Sequence, residues 1–327
     1  MRNKLSVFSQ PISKGGVDTL NLPRNSVHDA YILRFNIRVH NGKTESITPT
    51  PKDILDAIAE IRLVTDSTRV HYDITGHDLA ILNALMQKNN THPFIDQTLD
   101  AVAANADKEY EFCLYLDEGD IIATAHTNVE LTVHFKDESS MGLTVTSAQC
   151  LLTIKESLMS QAELVAKYGE GLKNAAEPKV YIQTTKCNGN TEFSGFFDLP
   201  TGTLLRKGIL YITNNGKLPD QIGILRTNPD RVELNKEDFL THIELDQIIY
   251  GTELPYKYVK DSELAAVYVI DYGTQWQSNG IGKNGWSFAK GDIMLAAKTP
   301  ADMNVRYLSI ESMVNTSVYP ANLFTEY

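Results

Sequence analysis

The sequence predicts an all-β protein with short inserted helices, arranged as two tandem eight-stranded jelly rolls. Three observations lead there. The chain has 327 residues, and two domains of roughly 150 residues are its natural division. Each half shows many short apolar or alternating runs separated by turn residues, the pattern of sandwiches and barrels. A strand–turn–strand–helix passage occurs twice. The predicted organisation is a basic N-terminal arm over 1–16, a first roll over 17–157, a helical connector over 158–177 and a second roll over 178–327.

The repeated passage reads Leu63-Val64-Thr65-Asp66-Ser67-Thr68-Arg69-Val70 in its first copy and Leu225-Arg226-Thr227-Asn228-Pro229-Asp230-Arg231-Val232 in its second. Leu63/Leu225, Thr65/Thr227, Arg69/Arg231 and Val70/Val232 share an offset of 162 residues. A two-residue slip then matches Asp78/Asp238, Leu85/Leu245 and Gln87/Gln247. In each copy an apolar strand meets a Thr-Asx turn, a second strand follows, and an Asp stands where it could N-cap a helix.

Taken in order, Phe35, Ile37 and Val39 alternate with Arg34, Asn36 and Arg38, a half-buried strand. Asn41-Gly42 marks a turn. Thr50-Pro51-Lys52-Asp53 opens a helix with a cap, a first-turn Pro and an acid at the third position. Its predicted face is Ile54, Ile58 and Ile61. A second helical piece is expected around Phe94 to Ala104, with strands at 111–116, 129–135 and 150–154. Ser160-Gln161-Ala162-Glu163 is a capping box for the connector helix. The second half replays the first. Phe197-Asp198-Leu199-Pro200 precedes the strand 208–213 as Leu20-Asn21-Leu22-Pro23 precedes 31–39, and Asn214-Asn215-Gly216 turns the chain. Further strands are predicted at 265–272, 291–297 and 305–310. The closing strands end alike, Ile154-Lys155-Glu156-Ser157 and Ile310-Glu311-Ser312.

Net charge is −11, with a pI near 5.2. An acidic body argues against nucleic-acid binding, which needs a basic stripe. Residues 1–16 invert this sign, holding Arg2, Lys4 and Lys14 and no acid. No run approaches the roughly 18 apolar residues of a membrane span, and no apolar h-region suggests a secretory signal. Cys113, Cys150 and Cys187 are odd in number and far apart. They read as buried thiols from a reducing compartment.

Candidate chemistry is sparse. Gly280-Ile281-Gly282-Lys283-Asn284-Gly285 satisfies GxGxxG, but Trp286-Ser287 after it reads as strand or loop where a dinucleotide site needs a helix. His126, Glu130 and His134 could share one face of a strand as metal ligands, although His134 equally suits a wet face. Asp117, Glu118 and Asp120 offer hard oxygens for calcium or form a solvated acidic turn. There is no Gly-x-Ser-x-Gly elbow. The sequence therefore points to no catalytic residue, cofactor or resident metal.

The duplicated β-rich halves, the Leu-Pro of each half, the short basic start and the passage from Arg69 to Met86 resemble one family. These are the double jelly-roll major capsid proteins of tailless icosahedral viruses with an internal membrane, the small bacteriophage members of corticovirus or finnlakevirus type above all. The resemblance implies a structural protein rather than an enzyme, synthesised in the host cytoplasm and located in the virion. It implies a homotrimer of pseudo-hexagonal outline that tiles a shell, meets neighbouring trimers, penton and minor capsid proteins, and faces the viral membrane. The arm residues Arg2, Lys4 and Lys14 are then expected on the membrane side. A carbohydrate-binding or carbohydrate-active protein on paired jelly rolls is the alternative. It would present an aromatic platform, for which Trp276 and Trp286 are the only tryptophans. A metal-dependent enzyme would rest on His126 and His134.

Overall fold

The computed structural model describes residues 2–86, 93–199, 203–213, 221–226, 239–241, 267–271, 286–287 and 293–314. The chain divides into two compact units, Met1–Leu172 and Lys173–Tyr327.

The first unit contains β1 (Arg2–Val7), β2 (Ile12–Ser13), β3 (Thr19–Asn21), β4 (Val27–His40), α1 (Pro51–Leu55), β5 (Ile58–Thr65), β6 (Arg69–Ile74) and α2 (Gly76–Met86). β7 (Asp107–Leu116), β8 (Val129–Phe135), β9 (Thr144–Leu158) and α3 (Gln161–Tyr168) complete it. One sheet runs β1-β9-β4-β7, with β2 also on β9, and the other runs β6-β5-β8-β3. If β1 and β2 count as one split first strand, the orders are 1-8-3-6 and 2-7-4-5 in chain order, the jelly-roll arrangement. Tyr31, Leu33, Phe35, Ile37 and Val39 on β4 are buried, and their intervening residues face outward, as period-two alternation requires. Phe35 joins the sheets: it stacks on Phe112 of β7 at 5.4 Å and meets Phe135 of β8 edge-on at 6.3 Å.

The second unit contains β10 (Ala176–Cys187), β11 (Asn190–Asp198), β12 (Leu204–Thr213), β13 (Gln221–Arg226), β14 (Phe239–Thr241), β15 (Val267–Asp271), β16 (Trp286–Ser287), β17 (Ile293–Thr299) and β18 (Met303–Val314). Its sheets run β10-β18-β12-β15 and β11-β17-β13-β14, with β16 appended to β12. With β16 set aside, these are again 1-8-3-6 and 2-7-4-5. The duplication reaches the level of register. Opposite Glu156 of β9 stand Lys4 of β1 and His28 of β4; opposite Glu311 of β18 stand Lys179 of β10 and Leu205 of β12. Ser157 and Ser312 follow these glutamates, opposite Val27 and Leu204. A bulge falls at the next step of each third strand, between His28 and Ala30 and between Leu205 and Lys207. Bulges re-aim a strand locally, so a shared bulge at one register marks one plan used twice. The Leu-Pro pairs also correspond: Leu22 and Leu199 are buried just beyond the second strand of each unit.

Several sequence expectations need correction. Residues 2–16 of the predicted arm 1–16 do not stand outside the first roll. β1 pairs with β9 from Arg2↔Leu158 to Val7↔Thr153, and Lys14 N still bonds Ala148 O at 2.9 Å. The segment is the split first strand. α1 has the expected cap, with Thr50 N bonding Asp53 Oδ2 at 2.7 Å, but it ends at Leu55. Ile58 and Ile61 lie in β5 and are both fully buried. A bulge between Ile58 and Glu60 lets residues three apart share the core face, which imitates helical spacing. Within 94–104 only Phe94–Asp96 forms a single 3-10 turn; Val102 instead bridges to Ile47. In α2 the cap is Thr75, whose Oγ1 accepts from Asp78 N at 3.2 Å, so Asp78 is the third helical residue and not the N-cap. Cys150 and Cys187 are buried, whereas Cys113 is exposed.

The repeated passage corresponds in part. Thr65-Asp66-Ser67-Thr68 is a hairpin turn with φ of 53° at Asp66 and 60° at Ser67, the type I′ geometry favoured between twisted strands. Leu63 and Leu225 both lie in the fourth strand of their unit. Phe239, matched to Leu79 by the slipped alignment, begins β14 while Leu79 is in α2, so the helical half of the match does not hold. Thr227, Arg231, Val232, Asp238, Leu245, Gln247 and Gln87 lie outside the described residues.

Candidate assembly surface

The outer face of the β1-β9-β4-β7 sheet grades from apolar to charged. Along β1, side chains alternate. Leu5 and Val7 point outward opposite Lys155 and Thr153, while Arg2 and Lys4 lie on the other face of the strand. Leu5 is 63% exposed and Val7 74%, and Leu151 of β9 adds a third exposed apolar side chain to that face. At the far edge, Arg34 meets Glu111 at 2.9 Å, Arg38 meets Asp107 at 3.0 Å and His40 meets Asp107 at 2.7 Å. The His40 hydrogen bond, followed by Arg38, holds the Asp107 carboxyl below its usual range; Arg34 does the same for Glu111. Such exposed pairs add little stability individually and are screened by salt. The β7 edge is partly closed by α2, where Asn83 Nδ2 donates to Tyr115 O at 2.8 Å and its Oδ1 accepts from Tyr115 N at 2.7 Å. That amide occupies the place of a pairing strand, one way of blunting an edge.

Among the predicted site residues, Arg2 and Lys4 are exposed on β1. Lys14 is committed inside the roll, bonding Val145 O at 2.5 Å and pairing with Asp137 at 3.0 Å. The acidic turn 117–120 is used structurally. Asp120 Oδ2 accepts from Lys167 at 2.7 Å and from the Tyr168 hydroxyl at 2.8 Å, which fastens α3 to the first unit. Glu118 N donates to the Tyr72 hydroxyl at 2.9 Å. The three histidine-region residues are not brought together as one ligand set. His126 is buried and its Nδ1 lies 2.7 Å from Asp66 Oδ2, Glu130 accepts from Asn128 at 2.8 Å, and exposed His134 lies 3.4 Å from Glu60. Asp66 is held at a pKa of about 2, first by the Thr127 backbone and then by His126. Sequence reading overlooked His71, which is fully buried, bonds Thr65 Oγ1 at 2.8 Å and meets the His126 ring edge-on at 6.0 Å. Its place in β6 between Val70 and Tyr72 gave no ligand-like spacing to notice. Gly280–Gly285 and Trp276 lie outside the described residues, and Trp286 begins β16, as a strand after the Gly-rich stretch requires.

No protein family and no curated protein matches this chain. Among solved structures, the STIV MCP aligns with a TM-score of 0.79 at 17% identity, covering 96% of this chain and 98% of that one. The atomic structure of Sulfolobus Turreted Icosahedral Virus gives 0.80 at 16% identity, covering 99% and 95%. The fold is a double jelly roll. The double jelly roll of the major capsid protein P2 from Bacteriophage PM2 aligns at 0.59 and 11% identity over 96% and 98% of the two chains. The STIV and Sulfolobus Turreted Icosahedral Virus structures thus agree more closely with this double jelly roll than the Bacteriophage PM2 one does. In every case both rolls are matched, since coverage is nearly complete in both directions.

Proposed function

We propose that the protein is a major capsid protein whose homotrimers tile an icosahedral shell over an internal membrane. The observation that carries this reading is the pair of rolls with one strand order and one register, matched from end to end by viral capsid proteins. Three copies of a two-roll chain present six similar rolls, which fits a pseudo-hexagonal tile. Tiling calls for broad complementary surfaces and closed symmetry, and no active site. The exposed Leu5, Val7 and Leu151 beside a charged ladder suit subunit contacts of that mixed kind. Neighbouring trimers, penton and minor capsid proteins would be its partners. A bacteriophage of corticovirus or finnlakevirus type has the weaker support, because the PM2 protein aligns less closely than the STIV protein. Sedimentation at several salt concentrations tests the assembly. The expected species has three times the 36.5 kDa chain mass, with salt-dependent dissociation; a monomer at every salt concentration would overturn the proposal.

We also propose that the exposed basic end of β1 faces the membrane. Lys14 drops out of this role, leaving Arg2 and Lys4, each worth about 1 kcal/mol beside anionic lipid and multiplied by the copies in a shell. Deleting residues 1–16 would remove a strand of the roll, so charge removal is the cleaner test. Arg2→Gln with Lys4→Gln should leave the oligomer intact and reduce its flotation with anionic liposomes, most at low salt. Unchanged flotation would refute the assignment.

A further inference from the structure

The equivalent registers of the two units differ at one buried polar spot. In the second unit Glu311 is fully buried and well satisfied: its Oε2 accepts from Thr203 Oγ1 at 2.6 Å and lies 3.5 Å from Lys179 Nζ, and its Oε1 accepts from Ser309 Oγ at 2.7 Å. By register, the first-unit counterparts of Glu311, Thr203, Lys179 and Ser309 are Glu156, Ser26, Lys4 and Ile154. Leu205 is replaced by His28. Ile154 cannot donate, and exposed Lys4 makes no bond to the carboxylate. The consequence is three orphaned atoms: Glu156 Oε1, Ser26 Oγ and His28 Nε2 are buried without a hydrogen-bond partner. Their residues are 1%, 1% and 0% exposed.

These atoms are neighbours by construction. His28 and Glu156 are directly opposed across β4 and β9, which places their Cβ atoms about 5 Å apart on one face. Ser26 stands in the bend just before β4, the register position from which Thr203 reaches Glu311 in the second unit. The other ring nitrogen of His28 is engaged, with Nδ1 at 2.8 Å from the Tyr31 hydroxyl. That contact fixes the ring and aims Nε2 away from Tyr31. The Pro23 carbonyl lies close enough to favour the charged ring slightly, but it is not in hydrogen-bonding geometry with Nε2. Buried polar atoms are almost always satisfied, by protein or by ordered water. Three of them around one spot match the roughly three bonds that a buried water makes.

We propose that a single structural water molecule occupies the first roll between Ser26, His28 and Glu156, bridging the side chains that the second roll joins directly through Thr203 and Glu311. The water would donate to Glu156 Oε1 and satisfy Ser26 Oγ and His28 Nε2 with its remaining capacity. This inference concerns the fold alone and stands or falls apart from the assembly reading.

A crystal structure of the full chain, at a resolution that shows ordered solvent, tests it. The expected result is one water-sized peak within hydrogen-bonding distance of all three atoms. Density showing the three side chains placed as described with nothing between them, or a direct bond from Ser26 or His28 to Glu156, would overturn it. Oxygen-17 relaxation dispersion gives a second readout in solution. The double variant Ser26→Thr with His28→Leu puts the second roll's residues at these two positions, and it should lose one long-lived internal water relative to wild type. An unchanged count would contradict the proposal. If the variant does not fold, the wild-type density decides alone.

Discussion

Phe35→Ala is expected to destabilise the first roll by about 3–5 kcal/mol, the usual range for emptying a buried aromatic site. Phe35 is fully buried at the centre of the strand order, opposite Phe112 in register and edge-on to Phe135 of the facing sheet. Phe112 in turn stacks on Phe94 at 4.2 Å, so the cavity would open within a ring cluster that fixes both sheets and the turn beneath α2. Rigid strands on three sides limit collapse into the space, which places the cost toward the upper end. Leu151→Ala on the outer face should cost less than about 1 kcal/mol in the isolated chain. Denaturant unfolding, followed through the first unit's transition, separates the two. A Phe35→Ala loss no greater than that of Leu151→Ala would show that the sheets are not joined there.

Acid should destabilise the first roll through His28. Burial lowers its pKa from 6.5 to about 4, against a weaker raising effect of the Pro23 carbonyl. Between those values the unfolded chain binds a proton that the folded chain refuses, so stability rises with pH across this window and is lost as pH falls. At 1.36 kcal/mol per unit the full effect is about 3 kcal/mol, complete near pH 4 and absent above about pH 7. The comparison is with His28→Leu, which places the second roll's residue at this register. Its stability should fall less steeply between pH 6.5 and 4 than that of the wild type. Parallel curves for the two proteins would mean that His28 already takes its proton at ordinary pH.

Much of the fold was legible where side-chain period and backbone demand agree. The alternation of Phe35, Ile37 and Val39 located β4, and the Thr50/Asp53 and Ser160/Glu163 boxes located the starts of α1 and α3. The similar ends at Glu156-Ser157 and Glu311-Ser312 proved to be one register in two rolls. What stayed hidden has physical causes. The first strand is split, its outward Leu5 and Val7 are exposed, and its inward Arg2 and Lys4 lie beyond the core, so no burial pattern marks it. The bulge in β5 turned strand residues Ile58 and Ile61 into a false helical face. Asp120 looked like a calcium ligand because its real partners, Lys167 and Tyr168, are some 48 residues away in sequence. The orphaned cluster at Ser26, His28 and Glu156 is a pairing across 128 residues of chain between His28 and Glu156, and only the strand order brings it together.

On the proposed function, two like rolls in one chain would build a six-lobed tile. Electron cryo-microscopy of the purified oligomer tests it most directly. The expected result is a ring of three chains with a pseudo-hexagonal outline, six roll-shaped densities, and the first strands of all three chains on one side of the tile. Single chains, or an assembly in which the rolls do not alternate around a threefold axis, would contradict it.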